Sequence, residues 1–204
     1  MGGAASPEWL IREDAGEPVL VALYLRQVLG IRTPDELPHL RGVPTATELR
    51  DDDAQAELER QWRSYWEMTV EPQAHPSPIP LMLVDGFDTL VAVASEGCEQ
   101  LVAAAAPHAA ASIAFARSAH DRYRRDVGAR SGGHSYRAYA SAIAEHERQV
   151  GRRAHSFELN VQVLPLTQRG VWWIGALTIA VTDGLRGDVA AFDTAINPII
   201  AELA

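Results

Sequence analysis

The residues of this chain best suited to acid–base or metal chemistry are two imidazoles and a neighbouring carboxylate: His120, His146 and Glu147. An imidazole titrates near neutral pH and ligates zinc or another divalent metal through its neutral form. His120 falls on the stripe Ile113, Ala116, His120, Tyr123, Val127, and His146 on the stripe Tyr136, Tyr139, Ile143, His146, Val150. Both stripes repeat at the three-and-four spacing of one helical face. The loop Arg130-Ser131-Gly132-Gly133 joins the two segments. Antiparallel packing about that loop would set Tyr123 against Tyr139 and hold the two histidines roughly 5 Å apart along the axis. That arrangement could carry a divalent metal for a small hydrolase, with Glu147 as its acid–base group. No HExxH or HxxxH spacing accompanies it. The competing expectation is two packed, hydrogen-bonded core histidines.

Anion binding is the second chemistry on offer. Between Arg117 and Arg153 lie nine arginines against four acids. Arg117, Arg124, His134, Arg152 and Arg153 would form the ligand set if they met in one cleft, as charged donors to a small anion. Free N–H groups at the helix start near Ser135 would add to it. The run SGGHS lacks the GK[ST] ending of a P-loop and is not GxSxG, so it has the pattern of neither a phosphate cradle nor a nucleophile elbow. Basic side chains near helix C-termini are also expected from the helix dipole alone. Cys98 follows a glycine and opens an apolar segment, so it reads either as a thiol activated by a helix N-terminus or as a small buried hydrophobe.

Composition narrows the classes. The chain has 204 residues, 47% of them hydrophobic and 22% charged, with a formal net charge of −9. Such a chain is expected to form one globular domain over 1–204 with a sizeable core. All 18 basic residues are arginine. Residues 1–100 carry 7 Arg against 18 acids, and residues 101–204 carry 11 against 9. The negative balance disfavours nucleic acid. A lone cysteine, no secretory leader pattern and no membrane-length apolar run point to a cytoplasmic protein.

The elements that would position these residues can be read in turn. The clearest is Phe157–Thr182. Phe157, Leu159, Val161 and Val163 alternate with polar residues, as a half-buried strand requires. Thr167-Gln168-Arg169-Gly170 reads as a turn, and Val171–Thr182 as a return strand apolar on both faces. Its Trp172 and Trp173 suit core packing, with one ring available to an interface. A second hairpin is expected over 79–94, turning at Asp85-Gly86. Helices are expected over 18–30, with Arg26 and Gln27 facing out, over 46–70 behind a Thr45–Glu48 capping box, and over 98–106. The two stripes above and a last helix capped by Asp188 complete the set. Ser6-Pro7-Glu8 has the types of a helix start.

The expected fold is therefore α+β, an antiparallel sheet of two hairpins packed against several helices, with a helix pair between the hairpins. No cofactor is evident beyond a divalent metal at His120 and His146. The leading functional expectation is a non-enzymatic interaction or scaffold module with a protein partner or a second copy of itself, a homodimer. The alternatives are a binder of a small anionic ligand and the metal-dependent hydrolase.

Overall fold

A computed structural model of the chain describes residues 9–46, 51–77, 79–129 and 134–204, with the backbone alone for 134–136. The class is α+β, but the main sheet is mixed. Its order is β1 (Trp9–Asp14), β4 (Phe157–Leu164), β6 (Thr178–Thr182), β5 (Val171–Trp173). β1 and β6 both run parallel to β4, and only β5 is antiparallel to its neighbour. β2 (Leu81–Leu83) and β3 (Ala92–Ala94) form a separate antiparallel pair.

The sheet is not the antiparallel pair of hairpins expected from the sequence, and the reason is physical. After Pro165 the chain does not reverse onto β4 but docks on the 39–41 segment. Arg41 N–H donates to the Pro165 carbonyl at 2.8 Å, and Thr167 N–H to that of His39 at 2.9 Å. The reversal comes later, where Ile174 and Gly175 N–H both donate to the Thr178 carbonyl. β6 then slots between β5 and β4, buried at every position. A run apolar on both faces is what a central strand needs.

β1 overturns the helix expected at the N-terminal end. Residues 1–8, which carry Ser6-Pro7-Glu8, lie outside the described residues, and Trp9–Asp14 is an edge strand in register with Phe157–Gln162.

Helices cover both faces of the sheet. On one side α1 (Glu17–Val28) packs with α2 (Asp52–Val70) and α4 (Ala109–Ala129), and the core gathers Leu20, Leu23, Trp62, Tyr65, Phe87, Val93 and Ala116. Here Trp62 stacks on Trp66 at 5.3 Å and donates its indole N–H to the Ala22 carbonyl. On the other side α5 (His134–Val150) packs along α7 (Val189–Leu203), over Leu159, Val161, Val163 and Ile179. Trp172 leans on the first core and Trp173 on the second.

α3 (Glu99–Ala105) leads through a short tight turn into α4, and α6 (Asp183–Arg186) leads from β6 towards α7. The capping box expected at Thr45–Glu48 falls partly outside the described residues; α2 itself begins at Asp52. No helix among the described residues is long and apolar enough to cross a membrane.

Candidate functional site

The two histidines do not face each other on paired helices. α4 carries His120 in the first layer and α5 carries His146 in the second. α4 lies along α1 on one side of the sheet and α5 along α7 on the other, and the far ends of the two stripes, Val127 and Val150, stay exposed. Among the described residues, no three His, Cys, Asp or Glu side chains gather as a metal-holding group. His146 Nε2 is buried without a hydrogen-bond partner. Glu147 is taken up structurally, its Oε1 accepting from Ala154 N–H at 2.9 Å just past the end of α5.

The arginines are spread over the surface as well. Arg117 reaches Asp88 at 2.6 Å and Glu17 at 3.9 Å. Arg124 lines an open groove with Ser118, Asp121 and Arg125. Arg152 and Arg153 follow α5 in the other layer, where both are exposed. The side chain of His134 lies outside the described ones. Cys98 is buried, and that burial pushes its thiol pKa up, so the helix start does not activate it.

What the topology does bring together lies at the carboxyl ends of the parallel strands, the usual place for polar groups to converge in such sheets. Glu13, near the end of β1, accepts from Arg186 Nε at 2.7 Å and from the Tyr139 hydroxyl at 2.8 Å. The Arg186 guanidinium sits 4.4 Å over the Phe192 ring, which meets Tyr139 edge-on. Tyr123 stands 3.5 Å from the other Glu13 oxygen. His120 is next to this cluster. Its Nδ1 donates to the Ala15 carbonyl at 2.9 Å and lies 3.7 Å from Asp14. Burial, then the Glu13 charge, raises the pKa of Tyr139 well above the ordinary tyrosine range and shifts Tyr123 the same way.

Glu13 escapes a sequence reading in which Ser6-Pro7-Glu8 starts a short helix. The signal was there, as Glu13-Asp14 ends a short apolar run where a parallel strand would finish. The space beside the cluster, lined by Tyr123, Asp126, Val163 and Asp183, is only about 20 Å³. That is room for about one water and no substrate. The cluster is a latch between β1, α5 and α6.

The hairpin offers a surface of another kind. Val84, Phe87, Val91 and Val93 anchor it in the first core. The loop between its strands is wider than the Asp85-Gly86 turn expected from sequence, because Phe87 drops inward and is fully buried. Gly86 takes the positive φ of 81°. β2 stays outside: Leu81, Met82 and Leu83 are 53%, 38% and 56% exposed.

Beside the hairpin, α2, residues 74–77 with Ile79, and the β3–α3 turn line a cleft of about 470 Å³. Its lining includes Arg60, Glu67, His75, Glu96 and the buried Cys98. Arg60 is already neutralised by Glu57, through contacts of 2.8 and 2.5 Å. Glu67 and Glu96 have no ion-pair partner among the described residues. The cleft thus presents uncompensated negative charge next to an apolar strand.

Compared with known proteins, the chain matches no family model, no curated protein and no solved structure.

Proposed function

We propose that this chain is a cytoplasmic protein-interaction module that binds a basic protein through the outer side of the β2–β3 hairpin. The observation that carries the reading is β2 itself, three consecutive large apolar side chains left exposed on a strand whose neighbours are firmly packed. Isolated exposed hydrophobics are ordinary, but a contiguous set rimmed by polar residues marks an interaction site. Fully burying a Leu or Met side chain is worth about 1.5–3 kcal/mol. Leu81 and Leu83 share one face of the strand, and covering these two half-exposed side chains would contribute on the order of 2 kcal/mol to a complex.

Charge selects the partner. Asp85 follows the hairpin's first arm, Glu96 follows its second, and Glu67 faces the adjoining cleft. Two copies of a chain at −9 repel each other, so a basic partner fits this surface better than a second copy does.

The test is in-cell crosslinking of the wild type beside a Leu81→Asp/Leu83→Asp variant whose circular dichroism is unchanged. A basic protein bound by the wild type and lost by the variant is the expected result. Identical partner sets for the two, or capture of a second copy alone, would remove the proposal.

A further inference from the structure

We infer that the partner engages this surface by adding an extended strand to the open edge of β2, with arginine or lysine flanking the strand at both ends. This rests on the interaction reading above and goes to its backbone chemistry. The ladder between β2 and β3 is pinned at both ends. Val84 N–H donates to the Val91 carbonyl at 3.0 Å, and Ser95 N–H to the Pro80 carbonyl at 2.9 Å. In an antiparallel pair, hydrogen-bonded and non-hydrogen-bonded residue pairs alternate. Met82 opposite Val93 is then the bonded pair of the interior. Leu81 opposite Ala94 and Leu83 opposite Ala92 are the non-bonded ones. The N–H and C=O groups of Leu81 and Leu83 consequently point away from β3, and no described strand pairs with that edge.

An edge carrying two free donors and two free acceptors is a template for another strand. Natural edges are usually guarded by charge, and β2 has none: its three side chains are apolar and exposed. β1, the edge of the main sheet, is by contrast interrupted by Arg12, which pairs with Glu158.

Strand addition draws affinity from main-chain hydrogen bonds and specificity from alternate side chains. Here an incoming strand would lay apolar side chains beside Leu81 and Leu83. Its flanking residues would meet Asp85 at one end and Glu96, next to the Ser95–Pro80 bond, at the other. Two copies paired edge to edge would gain the apolar contact but find no positive charge for either carboxylate.

The probe is a synthetic nonapeptide, Arg-Arg-Val-Thr-Val-Thr-Val-Arg-Arg, beside the same peptide with glutamates in place of its arginines. Both are titrated into the full chain and followed by amide NMR and hydrogen exchange. The basic peptide is expected to bind and to slow exchange at Leu81 and Leu83, while Met82 and Val84 change little. Leu83→Pro deletes one outward N–H and leaves the β3 ladder intact, and should weaken binding at least tenfold. Leu83→Ser keeps that N–H and should retain the protection.

Binding without protection at Leu81 and Leu83 overturns strand addition while the interaction reading stands. Equal binding of the acidic peptide overturns the charge assignment, and no binding of either peptide overturns the inference outright. Protection that grows with protein concentration in the absence of peptide would make a second copy the occupant and sink it too.

Discussion

Glu13 at the end of β1 and Arg186 in α6 meet at 2.7 Å across 173 residues of sequence, with side chains only 7% and 4% exposed. Between them they tie the N-terminal edge strand to the segment that follows the central strand. Removing charges from water costs several kcal/mol per ion, so a buried pair adds little net stability over an apolar substitute. Breaking such a pair is another matter, because the remaining charge stays buried.

Arg186→Ala should therefore destabilise the fold by about 3–5 kcal/mol. For a chain of this size that corresponds to a fall in melting temperature of roughly 10 °C. A double Glu13→Gln/Arg186→Met variant should recover most of the loss, since it removes both charges, keeps an acceptor for the Tyr139 hydroxyl and keeps apolar bulk against Phe192. Calorimetry of the two variants checks this, and a double variant as unstable as Arg186→Ala would refute the latch.

The same cluster sets an alkaline limit. Burial, reinforced by the Glu13 charge, favours the protonated hydroxyls of Tyr123 and Tyr139, and burial does the same for Tyr65. A folded-state pKa raised above the unfolded value of about 10 leaves stability whole below that pH. Stability is then lost as pH rises from there towards the folded-state values. Tyrosinate absorbance at 295 nm should climb in two waves, the second coinciding with loss of circular dichroism. A single wave complete before unfolding would show that these hydroxyls are free to ionise in the fold. Tyr139→Phe should shrink the second wave.

Gln27 is the counterpart of this latch in the first core. Its amide donates to the Leu40 and Val43 carbonyls at 3.3 and 2.6 Å, and its Oε1 accepts from Leu40 N–H at 2.9 Å. Beside it, Arg26 donates to the Leu37 and Pro34 carbonyls. Gln27→Ala should cost about 2–3 kcal/mol, because it leaves buried backbone groups unpaired. Faster hydrogen exchange at Leu40 is the local signature. Unchanged exchange there would mean the loop holds itself.

Arg26 and Gln27 also show where sequence reading stopped. Their helix is plain from its continuous apolar run, and the polarity of the two side chains suggested an outward face. In the fold a loop closes over them, and their polarity serves its carbonyls instead. The helices around His120 and His146 were legible in the same way, since period and breakers fix a helix and its apolar face. Which layer that face meets depends on the sheet between, and no spacing within either helix carries it.

Strand direction was hidden for a similar reason. Alternation marks Phe157–Leu164 as a strand and double-sided burial marks Thr178–Thr182 as central. Neither pattern says that they run parallel. The decisive contacts, Pro165 and Thr167 against the 39–41 segment, join residues about 125 apart in sequence. β1 is hidden because three apolar residues shortly after a proline resemble a helix start as much as a strand. The exposed strand of the hairpin could not be told from a buried one, as Leu81-Met82-Leu83 and Val91-Ala92-Val93 read alike.

Gly175 offers the last test, because it stands where β5 turns into β6 against the end of α2. A Cβ added there would lie 2.7 Å from the Glu71 carboxyl and 3.0 Å from Val70 Cγ1. The same carboxylate accepts from Leu177 N–H at 2.6 Å, so it cannot swing away without releasing the turn. Gly175→Ala should cost about 1–3 kcal/mol by overpacking. Glu71→Ala alone should cost about 1 kcal/mol for the lost hydrogen bond. With the carboxyl gone, the tightest contacts of the new methyl go with it and only Val70 Cγ1 remains close, so the double variant should be more stable than the sum of the single losses predicts. Chemical denaturation of all four proteins measures that coupling. Strict additivity would mean that Gly175 answers to its own backbone and not to Glu71, and the turn that seats the central strand would then be set within β5 and β6 alone.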